Sequence, residues 1–107
     1  MAKIISNEIE VQNSICEYLA TKKLFFWRNN NIPVFDSKRN SYRKMPKYSK
    51  KGVADIIVLV NGFAYFLEVK DKGYQSKDQK EFEKGVKEAG CQYYVVRSID
   101  DVAKIFS

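Results

Sequence analysis

The sequence predicts a single small α/β domain, with elements in the order α-β-β-β-α-β-α around a mixed sheet. Three observations lead there. Stretches with helical apolar spacing alternate with short β-prone runs. An Asn61-Gly62 pair joins two of those runs, which is the strongest short-range hairpin signal. And 107 residues leave room for one hydrophobic core.

The first helix runs from about Asn7 to Thr21, with Ser6 or Asn7 as its cap. At about 100° per residue, Val11, Gln12, Ile15 and Leu19 all fall within about 60° of Glu8. Glu10, Asn13 and Glu17 lie on the opposite side. A carboxylate at the centre of an apolar stripe is costly unless it is paired or bound to a cation, so Glu8 is informative and Glu10 is not. Leu24 to Arg28 is a β-prone run, followed by the loop Asn29-Asn30-Asn31-Ile32-Pro33. Val53 to Val60 is a continuous apolar run with one acid, Asp55, near its start, and reads as a buried strand. Phe63 to Lys70 is the strand that returns from the hairpin.

Asp71 to Gln75 form a loop. Ser76-Lys77-Asp78-Gln79 has the spacing of a capping box, so a helix starts there; Phe82, Val86 and Ala89 give it a narrow apolar stripe and Gly90 stops it. Cys91 to Arg97 reads as a strand after a helix, which permits a parallel crossover. Ser98 caps a last helix through Phe106, with Val102, Ile105 and Phe106 facing inward.

Two absences narrow the chemistry. The chain has no histidine, which excludes His-based acid–base schemes, Ser-His-Asp triads and His-ligated zinc. Its two cysteines, Cys16 and Cys91, cannot form a four-thiolate site and are expected reduced and buried. No apolar run approaches the ~20 residues of a membrane span, and the first residues lack the apolar core of a signal peptide. The expectation is a protein that stays inside the cell, in the cytoplasm or a host cell's cytoplasm, and is not secreted.

The net charge of +6 is concentrated. Lys38, Arg39, Arg43, Lys44, Lys47, Lys50 and Lys51 fall within residues 38–51, which hold no acid; the other 93 residues carry 12 basic and 13 acidic side chains. A near-neutral body with one basic loop, at about residues 36–51 and broken by Pro46, is the footprint of a nucleic-acid binder, because phosphate contacts release counterions. Tyr42 and Tyr48 stand among the charges, where they could stack on bases. No regular element is expected in this loop. Its bland reading is a solvated segment without a partner.

If Asn61 and Gly62 are the two loop residues of the hairpin, Asp55 stands opposite Glu68, and Lys70 leaves the strand on the same face as Glu68. Two facing carboxylates repel, and a divalent cation resolves the repulsion. Mg²⁺ takes one or two carboxylates together with waters and a substrate phosphate, and can activate a water for attack on that phosphate. Lys70 is then placed to orient that water or to neutralise phosphate charge. Glu8 would complete the metal site or position Lys70. The bland reading is a set of interior salt bridges. Trp27 is expected in the core; Phe63, Tyr65 and Phe66 are expected to pack. Arg28 stands between phosphate contact and surface charge. Tyr74 is placed either to touch substrate or to close its loop, and Arg97 reads as a surface charge. Gln12 lies one turn from Glu8, within reach of its carboxylate.

These residues resemble a known family. The acid, the hairpin and Glu-x-Lys are similar to the PD-(D/E)XK nuclease superfamily, and the chain resembles most a stand-alone VRR-NUC (virus-type replication–repair nuclease) domain. The likeness is carried by Glu8-x-x-x-Gln12, Trp27-Arg28-x-Asn30, Lys51-Gly52-Val53-Ala54-Asp55, Glu68-Val69-Lys70, Ser76-x-x-Gln79 and Tyr94-Val95-Val96-Arg97-Ser98, and spans nearly the whole chain. It implies a restriction-endonuclease-like core that hydrolyses DNA phosphodiesters with Mg²⁺, or with Mn²⁺ in its place. Asp55, Glu68 and the Val69 carbonyl would be metal ligands, Lys70 the catalytic lysine, Glu8 the helix acid near the metal, and Gln79 a residue at the site from the second helix. The resemblance also implies a homodimer acting on branched DNA such as four-way junctions. Ala54 stands where the superfamily's name has proline, which leaves the ligand positions intact. The rival readings are a flap, nicking or restriction-like nuclease, a basic-loop nucleic-acid-binding module whose acids are structural, and a protein-interaction adaptor.

Overall fold

The Asn61-Gly62 turn sets the centre of the sheet. Both residues have positive φ, 50° and 83°, the backbone of a two-residue hairpin turn whose twist matches its strands. The computed structural model describes residues 7–29, 35–42 and 46–107. On either side of the turn lie β4 (Ile56–Val60) and β5 (Phe63–Val69). They pair antiparallel from Val60↔Phe63 to Ile56↔Leu67, the register expected from the turn. β1 (Phe25–Arg28) adds antiparallel to the outer side of β4, and β6 (Gln92–Val96) runs parallel to β5, so the sheet order is β1-β4-β5-β6.

The parallel pair requires a crossover, supplied by α2 (Lys77–Glu88). Ser76 caps that helix through a reciprocal capping box with Gln79. The remaining helices, α1 (Glu8–Thr21) and α3 (Ile99–Phe106), pack together on the other face of the sheet. Asn7 occupies the cap position of α1 without a side-chain bond to the first turn; its backbone N–H donates instead to Asp71 Oδ2 at 2.9 Å. Ser98 caps α3 by accepting from the Asp101 N–H. The α-β-β-β-α-β-α frame is therefore present around a mixed sheet.

One element departs from expectation. Within the basic loop, β2 (Phe35–Asp36) pairs antiparallel with β3 (Ser41–Tyr42) as a separate two-stranded ribbon. Turn chemistry explains it. Asp36 Oδ1 accepts from the Lys38 N–H at 3.0 Å, and Asn40 takes a left-handed backbone at φ 53°. Residues 46–51 contain no helix or strand, as expected for that part of the loop.

The main core lies between the sheet and the α1–α3 pair. Ile15 and Leu19 from α1, Ile56, Val58, Leu67, Val69 and Val96 from the sheet, and Val102 from α3 are all fully buried there. Under α2 a smaller cluster gathers Ala54, Val86 and Tyr93, with Phe66, Phe82, Cys91 and Val95 against it.

Candidate metal centre

The hairpin register carries the β4–β5 pairing outward to Asp55 and Glu68, at the end of the ladder remote from the turn. Asp55 precedes β4, where its Oδ2 accepts from the Val69 N–H at 2.8 Å; its own carbonyl accepts from the Asn29 N–H at 2.8 Å. These bonds hold the carboxylate against β5. Glu68 is 2% exposed and Lys70, two residues on and on the same face, is 9% exposed. Lys70 Nζ stands 4.0 Å from Glu68 Oε1 and 3.9 Å from Glu8 Oε1, so it lies between an acid from the sheet and one from α1. The inward Glu8 expected from helical spacing is thus at the site, half-buried at the start of α1. Gln12, one turn on, is buried as well.

Gln79 arrives from α2. Its Oε1 accepts from the Ser76 N–H at 2.8 Å in the capping box, and its Nε2 donates to Glu68 Oε1 at 3.0 Å. The cap therefore orients the amide, since the acceptor end is used locally and the donor end is left for the site. Gly52 fixes the helix that carries it. A Cβ on Gly52 would stand 2.4 Å from the Asp78 carbonyl and 2.6 Å from the Gln79 nitrogen, and its φ is +70°. Only glycine allows the basic loop to return to the sheet so close to the first turn of α2.

The electrostatics converge on Glu68. Burial, then the negative charge of Asp55, push its carboxyl from 4.5 up to about 9; Lys70 works the other way, and Glu8 adds to the rise. Without a further cation the facing Asp55 and Glu68 carboxyls favour holding a proton between them. Its Oε2 is buried with no hydrogen-bond partner, an arrangement that costs about 1–3 kcal/mol in a native protein. A cation shared with Asp55 would satisfy that atom and remove the repulsion. Among the described residues no three His, Cys, Asp or Glu side chains form a ready-made cage. Two carboxylates with open positions suit Mg²⁺, which keeps several waters and takes phosphate oxygens, better than zinc. The donor set therefore fits a hard divalent ion.

The basic residues are placed as follows. Lys38 and Arg39 are exposed on the β2–β3 ribbon, with Arg39 Nε 3.8 Å from Asp36. Lys47, Lys50 and Lys51 are exposed ahead of Gly52, and Lys47 lies over the exposed ring of Tyr48. Arg43 and Lys44 lie outside the described residues, as does Asn30. Arg28 donates to Asn13 Oδ1 at 2.6 Å and to Cys16 Sγ at 3.5 Å, so its guanidinium ties β1 to α1.

Trp27 is not in the core. It is 43% exposed and its indole N–H donates to Asn29 Oδ1. The reason is coverage: α2 shields the β5–β6 side of its face and leaves Trp27 and Leu59 open along a groove of about 690 Å³, with Phe25 exposed as well. Phe63 is also exposed, whereas Phe66 packs on Phe82 and Tyr65 on Phe106. Cys16 and Cys91 are free thiols, as expected, but half-buried. Sequence reasoning missed the Asn7–Asp71 tie and the clasp of Gly52 on α2, whose signal was the glycine before the apolar run.

No protein-family profile matches the chain. No curated protein sequence matches it either. Two solved structures share its fold. One, described as "VRR_NUC domain", is 22% identical over 95% of this chain and 96% of its own, with a TM-score of 0.63. The other, described as "VRR_NUC domain protein", is 21% identical over 92% of this chain and 84% of its own, with a TM-score of 0.69. The protein has the α/β fold of these VRR_NUC domain structures, which is the fold its motifs resemble. No helix among the described residues is long and apolar enough to cross a membrane.

Proposed function

We propose that the protein is a divalent-metal-dependent DNA nuclease that hydrolyses phosphodiester bonds in branched DNA such as four-way junctions, acting inside the cell as a homodimer. The observation that carries this reading is the buried, unpartnered Glu68 Oε2 beside Asp55 and Lys70. The fold shared with VRR_NUC domain structures supports it.

Asp55, Glu68 and the Val69 carbonyl would hold Mg²⁺ or Mn²⁺. A bound ion would supply Lewis-acid stabilisation of the phosphate and lower the pKa of a nearby water. Lys70, held between Glu8 and Glu68, brings a positive charge to the developing charge on the phosphate and a donor to orient the nucleophile. Glu8 keeps the lysine aimed. Gln79 fixes the Glu68 carboxylate. Lys38, Arg39, Arg43, Lys44, Lys47, Lys50 and Lys51 attract the backbone of the DNA, and Arg28 is a further phosphate contact. A closed two-fold pair would set two such sites and two basic loops across one branch.

The test is a gel with end-labelled four-way junction, flap, linear duplex and single strand, incubated with Mg²⁺ and with either wild type or Glu68→Ala. Junction cleavage lost in the variant is the expected result. DNA that is shifted but uncut by both proteins would make this a binding module.

A further inference from the structure

We infer that Tyr74 is a stacking platform for an unpaired nucleobase beside the scissile phosphate, with Arg97 as its support; this rests on the nuclease reading above. Tyr74 is 87% exposed although it sits one residue from the site's border. A Cβ on Gly73 would stand 3.8 Å from Glu8 Oε1, the oxygen nearest Lys70. The next residue along the chain is about 3.8 Å away between Cα atoms, so Tyr74 sits on the loop that borders the carboxylate–lysine group.

The loop that carries it is anchored at both ends. Asp71 Oδ2 accepts from the Asn7 N–H at 2.9 Å, and the Asp71 carbonyl accepts from Arg97 Nη1 at 3.2 Å. Gln75 Nε2 donates to Glu83 Oε1 at 3.0 Å and to the Tyr93 hydroxyl at 3.2 Å. The exposed ring thus sits on a loop tied at both ends and belongs to neither core cluster.

Arg97 completes the arrangement. Its guanidinium lies 5.8 Å from the Tyr74 ring centroid while it binds the Asp71 carbonyl, and its backbone N–H donates to Asp101 Oδ2 at 2.8 Å. A cation on one face of an aromatic ring is a stable pairing and leaves the other face open. Aromatic faces next to positive charge are how single-stranded nucleotides are held without regard to sequence, because every base has a π-face. In a paired duplex the bases are stacked on one another and the ring has nothing to receive. At a branch point or a single-stranded end a base is free to stack, so the platform favours those substrates over linear duplex.

The experiment first maps the cut made by wild type in a labelled four-way junction. An abasic residue then replaces each nucleotide flanking the cut in turn, and cleavage by wild type, Tyr74→Ala, Tyr74→Phe and Arg97→Ala is compared under single-turnover conditions. The expected result is a loss of about tenfold in Tyr74→Ala, near-normal cleavage in Tyr74→Phe, and a smaller loss in Arg97→Ala. One abasic position should cost wild type the same factor and cost Tyr74→Ala nothing further, since both changes remove the same contact. An unaltered melting curve for Tyr74→Ala checks that the fold is kept. Undiminished cleavage by Tyr74→Ala, or losses that simply multiply at every abasic position, would overturn the platform while leaving the nuclease intact. Absence of cleavage by wild type on any DNA would overturn the nuclease reading and the platform with it.

Discussion

The two faces of the sheet are built differently. The face under α1 and α3 has an apolar centre, with Ile56, Val58, Leu67, Val69 and Val96 sealed against Ile15, Leu19 and Val102. The face under α2 holds a smaller apolar cluster, leaves Phe25 and Trp27 open to solvent, and buries Glu68 and Lys70. Alternation along β5 enforces the division, because Leu67 and Val69 point one way while Glu68 and Lys70 point the other. One face supplies stability through burial. The other tolerates a buried acid with an unsatisfied oxygen, and stored cost of that kind belongs where a ligand can relieve it.

The largest effect should come from breaking the charged face. Lys70→Ala is expected to lower cleavage of a labelled junction by about 10²–10⁴-fold, the range for losing a residue that handles protons or charge in the transition state, while circular dichroism remains that of wild type. Breaking the apolar face should do the reverse. Leu67→Ala should cost about 2–5 kcal/mol in urea unfolding, with cleavage by the remaining folded protein little changed. A fold lost by Lys70→Ala would erase the division.

Gly52→Ala should fall between these. The added Cβ meets the Asp78 and Gln79 backbone, and the positive φ adds strain of about 1 kcal/mol or more. Displacement of the first turn of α2 moves Gln79 off Glu68, so cleavage should fall further than stability does. Equal activity at equal folded fraction would show that Gln79 has no part in the site.

The charged face also predicts a pH dependence. Glu68 titrates near 9 in the folded protein and near 4.5 when unfolded. Between those values the folded state binds more protons, so its contribution to stability is full below about 4.5 and is lost as pH rises through about 9. The melting temperature of the metal-free protein should therefore decline from pH 5 to pH 9, and Glu68→Gln should flatten that decline. The smallest effect is expected on the open end of the same face. Phe25, 67% exposed, should tolerate serine within about 0.5 kcal/mol. A larger loss on dilution, but not at high concentration, would reveal that this patch is covered in a homodimer.

Much of this division was legible beforehand. Helical spacing placed Glu8 inward with Gln12, Ile15 and Leu19, and Asn61-Gly62 was enough to set the register that brings Asp55 to Glu68. Ser76-x-x-Gln79 announced the cap, while the nearness of Gln79 to Glu68 was implied only by the family resemblance. The exposure of Trp27 was not legible, because it depends on how far α2 reaches across the sheet, and no local pattern states that. The β2–β3 ribbon was hidden by the density of charge around it, although Asp36 and Asn40 carried its turn chemistry. The clasp of Gly52 on α2 is a contact between distant segments, which a glycine in sequence signals without locating.

The central claim is that Glu68 and Asp55 wait for a divalent ion. Mn²⁺ titration followed by electron paramagnetic resonance, on wild type and on folded Glu68→Gln in the presence of uncleavable DNA, tests it most directly. Saturable binding by wild type that is lost or greatly weakened in the variant is the expected result. Equal binding by both proteins, or none by either, would contradict the account and return the buried acid to a purely structural role.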